Sequence, residues 1–157
     1  MTGRWLVLVV VLVTGCTEAP DCEFEGDALS ARSAGCLVYQ NDAVLLVSSH
    51  DDEWGPPGGS VDSGESAQCA AVRETWEETS IVVSAGELVR VFDNGFHLFL
   101  CSPDSVTEPV IRRPLEIKAT SFYPVENFDS LTWRFPKQGE ALATLIADYL
   151  EVDPNAK

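Results

Sequence analysis

Short apolar runs alternate with polar punctuation along this chain, and the length and period of each run set the element it predicts. Gly35 to Gln40 and Ala43 to Ser48 are apolar segments flanking Asn41-Asp42, a turn signal, so they are read as a hairpin. Ser49 to Gly55 is a charged loop that leads into a glycine-rich turn. Ser66 to Thr79 has good helix formers and no proline, with Gly64 before it and Asp62 and Glu65 three apart like a capping box; this predicts a helix. Ile81 to Val83, Glu87 to Phe92 and Phe96 to Cys101 are read as strands, with Asp93-Asn94-Gly95 as a hairpin turn. Ser102 to Pro114 is read as loop and Glu116 to Tyr123 as a further strand. Glu140 to Leu150 closes the chain as a helix with Leu142, Leu145, Ile146 and Tyr149 on one apolar face. Strands on both sides of one helix, with a second helix at the end, predict an α/β layered domain; no internal repeat is visible.

The first residues follow a different pattern. Arg4 precedes an apolar run from Trp5 to Val13, far shorter than the ~20 residues that cross a bilayer, so residues 1–15 are read as a secretory signal. Val13-Thr14-Gly15-Cys16 resembles a bacterial lipobox, in which Cys16 becomes a lipid-modified N-terminus; the alternative is a plain signal cut near Gly15. Both routes export the protein to the cell envelope, facing the periplasm. Thr17 after the cysteine, rather than aspartate, resembles the outer-membrane sorting of enteric bacteria. Residues 16–32 are polar and without sustained period, and are read as a tether; residues 33–152 are read as the domain and 153–157 as a tail. Cleavage before Cys16 leaves 142 of the 157 residues, a single-domain length.

Charge narrows the partners. The formal net charge of −15 repels a phosphate polymer, which argues against DNA or RNA, and repels an anionic membrane, which leaves the acyl chains of a lipid anchor as the membrane contact. Setting Cys16 aside, Cys22, Cys36, Cys69 and Cys101 form an even set that suits an oxidising compartment and allows three connectivities. No C-x-x-C pair is present, which argues against zinc.

The chemistry lies on the first helix. At about 100° per residue, Glu77 and Glu78 fall roughly 60° and 40° to either side of Glu74, so three carboxylates share a face that carries no lysine. Like charges at this spacing cost about 0.2–0.5 kcal/mol per pair, and a divalent cation would gather them; oxygen ligands favour magnesium or manganese. A merely solvated acidic face is the alternative. Gly58 and Gly59 let the backbone approach where a side chain would obstruct it, shaping the metal loop or admitting phosphate oxygens. Glu65 lies about 180° around a regular wheel from Glu74, which gives it a supporting role.

Gly59, five residues, Glu65, seven residues, Arg73-Glu74, two residues, Glu77-Glu78 and Ile81 resemble the signature of the Nudix hydrolases, and Trp54, Pro57 and Gly58 resemble its lead-in. Thr75 in the first apolar slot and Ser80 in place of the helix-ending glycine depart from it. The resemblance covers about 115 residues. It implies an α/β/α sandwich around a mixed β-sheet and a Mg2+ (or Mn2+)-dependent pyrophosphohydrolase that cleaves a small phosphoanhydride, such as a nucleoside diphosphate derivative. It implies Glu74, Glu77 and Glu78 as metal ligands, Arg73 as a clamp on a glutamate, and Glu65 as support. Many members use a further acid downstream; Glu116 is the candidate, with Glu126 and Glu108 as competitors.

Other expectations follow the resemblance. Cys69, Val72 and Trp76 sit where members carry exposed polar residues, so a cover is expected; the N-terminal extension, clipped by Cys22 to Cys69, would leave Cys36 and Cys101 to pair. Trp133-Arg134-Phe135 offers base stacking and a phosphate contact, against core packing as the alternative. His50 is read as an exposed loop residue and His97 as a satisfied structural one. A rival function is a non-catalytic nucleotide- or metal-binding module of the envelope, for which Thr75 and Ser80 leave room; another is a scaffold for a partner.

Overall fold

The computed structural model describes residues 19–22, 24, 26–105 and 107–152. Among them run strands β1 (Ser33–Leu37), β2 (Tyr39–Gln40), β3 (Ala43–Ser48), β4 (Trp54–Gly55), β5 (Gly58–Ser60), β6 (Val83–Val91), β7 (Phe96–Pro103) and β8 (Ala119–Pro124). Helix α1 (Ala67–Thr79), a 3-10 helix (Val125–Ser130) and helix α2 (Gln138–Val152) complete the order. The signal segment, Cys16 and the tail at 153–157 lie outside the described residues.

The mixed sheet exists as two hydrogen-bonded groups. One has the order β5-β1-β7-β6, with β1 parallel to β7 and the other pairs antiparallel; the second is antiparallel, with β3 joined to β2, β4 and β8. The hairpin strand expected over Gly35–Gln40 divides at Val38, whose carbonyl accepts from Leu45 N at 3.0 Å and so links the two groups. The loop expected over Ser49–Gly55 ends in β4, and the glycine turn itself forms β5 on β1. Ile81–Val83 and Glu87–Phe92 are not two strands: β6 runs through, with register shifts between Ala85 and Arg90 that break the sequence period.

Both faces of these strands are covered, which explains their nearly unbroken apolar character. Ala34, Cys36, Val38 and Leu45 pack with Ala67, Ala70, Ala71 and Val72 of α1, while Leu37, Val44 and Leu46 pack with Leu142 and Ile146 of α2 and with Phe128. The result is the α/β/α sandwich expected from the resemblance. Among the described residues no helix is long and apolar enough to cross a membrane.

Disulfides join Cys22 to Cys69 and Cys36 to Cys101. The first holds part of the segment read as a tether against the domain. Phe24 bridges Ala85, and buried Gln68 on α1 accepts from Leu29 N at 3.0 Å and donates to Asp27 O at 2.8 Å. Phe24, Leu29 and Ala31 pack on the α1 core, so the extension does cover that side of the helix from Cys22 onward.

Candidate active site

Helix α1 is fixed at both ends by its own sequence. Ser66 is the N-cap, its hydroxyl accepting from Cys69 N at 3.2 Å; the box-like exchange between Asp62 and Glu65 closes the preceding turn, with Asp62 N donating to Glu65 Oε2 at 3.0 Å. Ser80 ends the helix in the left-handed region at φ 63°, a conformation that costs serine ~1 kcal/mol relative to glycine. Its hydroxyl donates to Val110 O at 3.1 Å, a bond that glycine has no atom to make. Thr75 is fully buried in the apolar slot, where its hydroxyl is satisfied by Ala71 O at 2.7 Å.

The helix brings Glu74 and Glu78 beneath Gly58 and Gly59, and Glu77 shares Arg73 with Glu74. Glu78 is 5% exposed and accepts from Gly58 N at 2.9 Å. A Cβ on Gly58 would stand 2.5 Å from Ala34 O, so close approach to backbone requires glycine there; one on Gly59 would stand 2.6 Å from the Glu74 carboxylate, so glycine there leaves that carboxylate its place. Arg73 donates from Nε and Nη2 to the two oxygens of Glu65, each at 2.9 Å, and from Nη1 to Glu74 at 2.8 Å and Glu77 at 3.3 Å. Glu65 therefore reaches the cluster despite its place on the wheel, because it precedes the helix and the regular period does not apply to it.

The acidic face is not left to a metal alone, as the absence of lysine suggested. Arg113, from the segment between β7 and β8, lies against Glu77, reaches Glu74 at 3.7 Å and pairs with Glu116 at 3.3 Å. Sequence reasoning missed this residue; the available signal was the pair Arg112-Arg113 in a strongly acidic chain. Glu116 is exposed in a turn ahead of β8 and joins the cluster through Arg113.

Burial dominates the electrostatics. It raises the Glu78 carboxyl to about 7, aided by the nearby charge of Glu74 and opposed by the Gly58 N–H. Burial also raises Glu74, against the pull of Arg73 and Arg113. Glu65 is lowered, first by its hydrogen bonds from Arg73. In donor chemistry the three carboxylates fit a hard divalent ion, and the oxygens of Glu74 and Glu77 already face positive charge. Among the described residues, however, no three His, Cys, Asp or Glu side chains converge as a ready-made ion site, because arginines hold Glu74 and Glu77 while Glu78 turns to Gly58. Ion binding therefore requires those carboxylates to exchange partners.

The Trp133-Arg134-Phe135 run divides in two. Trp133 packs edge-on to Phe128 at 4.9 Å and donates to its carbonyl at 3.1 Å, so it belongs to the fold rather than to a stacking site. Arg134 and Phe135 line a cavity of about 220 Å³ with Gly58, Gly59, Phe92, Phe96 and buried Gln138, whose Oε1 has no partner. Sequence periodicity gave no reason to join these positions. Glu126 lies on the 3-10 helix beside α2 and Glu108 is exposed. His50 Nε2 meets Pro114 O at 3.1 Å, and buried Nδ1 of His97 lacks a partner rather than being satisfied.

Comparison with known proteins bears on this geometry. A family model for the NUDIX domain matches residues 29–145. Human and mouse diphosphoinositol polyphosphate phosphohydrolase 2 are each 41% identical over 68 residues, 40% of this chain, and the chain spans 38% of their length. Among solved structures, an ADP-ribose pyrophosphatase from Streptococcus suis superposes with a TM-score of 0.62 at 23% identity, covering 80% of this chain and 92% of that one. An Ap4A hydrolase from C. elegans does so at 0.62 and 21%, covering 76% and 98%. Members of the family generally use a divalent metal such as Mg2+ and act on small phosphoanhydrides. A model matching three quarters of the sequence, on a sandwich whose glycine turn and acidic helix meet as described, shows that this chain belongs to the NUDIX domain family.

Proposed function

We propose that the protein is a divalent-metal-dependent pyrophosphohydrolase that cleaves a phosphoric anhydride in a small nucleoside diphosphate derivative or a related compound. The observation that carries this reading is the meeting of Glu74 and Glu78 with the Gly58-Gly59 turn on one side of α1, with Glu77 joined to Glu74 through Arg73. Mg2+ (or Mn2+) held by Glu74, Glu77 and Glu78, with Glu116 as a further acid, would supply positive charge for the developing oxyanions and make water nucleophilic at neutral pH. The chain's own residues orient the reaction. Arg73 spends its donors on Glu65, Glu74 and Glu77 and so fixes the carboxylates rather than the substrate. Gly58 and Gly59 leave room for phosphate oxygens, while Arg134 and Phe135 wall the cavity beside them for the substrate's ring. Trp133 is not part of that wall.

The test is a panel of nucleotide sugars, ADP-ribose, dinucleoside polyphosphates, nucleoside triphosphates and diphosphoinositol polyphosphates with Mg2+, wild type beside Glu78→Gln. Turnover that the variant loses while staying folded supports the reading. Binding of a nucleotide without turnover under any divalent ion would instead identify a non-catalytic module.

We further propose that the protein works outside the cytoplasm, held by a lipid on Cys16 and facing the periplasm. Support comes from the apolar leader and from two disulfides, which persist in oxidising compartments. Metabolic labelling with an alkyne fatty acid should mark the wild type and spare Cys16→Ala; labelling of both, or of neither, would refute the anchor.

A further inference from the structure

The segment between β7 and β8 is built onto the acidic helix, and one of its anchors, Ser80, is a position where this chain departs from the Nudix pattern. Val110 N donates to Thr79 O at 2.7 Å, and Ser80, standing where the pattern has glycine, returns a hydroxyl bond to Val110 O at 3.1 Å. Arg112 lies 3.8 Å above the ring of Trp76, a tryptophan where members carry polar residues. On the far side, Ile117 N and Glu116 N donate to Arg113 O at 2.8 and 3.0 Å, Lys118 N donates to Ser48 O at 2.8 Å, and His50 meets Pro114 O. The backbone at residue 113 is thus tied down on both sides. Only its side chain, 38% exposed, is left to move.

That side chain competes for the carboxylates a divalent ion would need. Arg113 touches Glu77, lies 3.7 Å from Glu74 and 3.3 Å from Glu116. A divalent ion on Glu74 and Glu77 would neutralise those two partners and repel Arg113 at close range, leaving exposed Glu116 and the substrate's phosphate as the anions within its reach. Arg73 is not available for that task. Its Nε, Nη1 and Nη2 are committed to Glu65, Glu74, Glu77 and Ser60 O.

We propose that Arg113 is a substrate-binding cation of this site, beside Arg134 in the cavity wall: it holds Glu74 and Glu77 until a divalent ion displaces it, and then turns onto a non-bridging phosphate oxygen of the substrate. The choice of anion rests on the pyrophosphohydrolase reading. A planar guanidinium suits the two contacts in turn, because the same fork matches a carboxylate and a phosphate.

Two calorimetric titrations test this, on wild type, Arg113→Ala and Arg113→Lys, with circular dichroism to verify folding. The first measures Mn2+ binding alone. The second measures binding of imidodiphosphate, a non-hydrolysable mimic of the anhydride, to Mn2+-loaded protein. Arg113→Ala is expected to bind Mn2+ about tenfold more tightly and imidodiphosphate about tenfold more weakly, with the lysine variant between; one tenfold step is about 1.4 kcal/mol. Opposite signs in the two titrations are not the mark of a structural defect, which would weaken both. An unchanged Mn2+ affinity, or an unchanged imidodiphosphate affinity, overturns the proposal. Failure of the whole substrate panel would overturn the pyrophosphohydrolase reading, while these two titrations would still decide the role of Arg113.

Discussion

Arg73 grips Glu65 through two hydrogen bonds of 2.9 Å, one to each carboxylate oxygen, although the two residues stand eight positions apart and would lie roughly 80° apart around a regular helix. The pair is possible because Glu65 lies ahead of the Ser66 cap, in the turn that Asp62 closes. It ties the glycine turn to the acidic helix, and through the same guanidinium it sets where Glu74 and Glu77 stand.

Breaking that grip should therefore cost both stability and activity. Glu65→Gln loses a bidentate charge-assisted pair in a partly buried place, expected to cost about 1–3 kcal/mol in urea unfolding. The folded state holds the Glu65 carboxyl below its unfolded value, so its stabilisation is present above the unfolded value near 4.5 and disappears as pH falls through the lower folded one. The difference between wild type and variant should shrink in that acidic window; a constant difference would refute the assignment.

Glu78 has the opposite sign. Its carboxyl is raised by burial from 4.5 to about 7, so the folded state binds the proton more tightly than the unfolded chain does. Its ionisation costs nothing below pH 4.5; the penalty grows between 4.5 and 7 and is complete above, on the order of 3 kcal/mol without metal. In EDTA, Glu78→Gln should flatten the fall in stability across that window. Divalent ion should restore the wild type above pH 7 more than the variant.

Gly58 and Gly59 should fail differently when a methyl is added. At Gly58 the methyl meets backbone, Ala34 O at 2.5 Å and Gly35 Cα at 2.6 Å, neither of which can turn aside. Gly58→Ala is expected to cost at least ~2 kcal/mol. At Gly59 the methyl meets the end of the Glu74 side chain, so Gly59→Ala should fold but displace that carboxylate, weakening Mn2+ binding in calorimetry. Equal melting temperatures for the two variants would contradict this.

The two disulfides should reduce in sequence. Cys36 and Cys101 are 0% and 3% exposed inside the α1-side core, whereas Cys22–Cys69 clips the N-terminal segment at the surface of α1. Mild dithiothreitol followed by alkylation and peptide mapping should release Cys22 and Cys69 first. The chain-entropy contribution of that 47-residue link is about 4 kcal/mol. Release of Cys36 first would show that burial does not set the order.

Much of the fold was legible because its signals are local. Helix formers in a proline-free run place α1 within one residue of its observed start, although the cap is Ser66 rather than the Asp62-Glu65 box, and apolar runs broken by Asn41-Asp42 and Asp93-Asn94-Gly95 place β3 and β7. The carboxylate face needed only 3.6 residues per turn. Where pairing changes partner along a run, local pattern failed: the strand expected over Gly35–Gln40 pairs with β7 before Val38 and with β3 after it, and β6 hides its register shifts as a gap between two apparent strands.

The amino-acid sequence by itself determined the chemistry of the site, since the order Gly59, Glu65, Arg73, Glu74, Glu77, Glu78 fixes which groups a turn and a helix present together. Tertiary structure alone decided what those groups meet. Arg113 arrives from forty residues beyond Arg73 to neutralise the acids, Arg134 and Phe135 come to the glycines while Trp133 turns inward, and Cys22 closes over the helix. Contacts of that kind depend on how sheets and loops stack in space, and the period of a chain along its own axis carries no record of them.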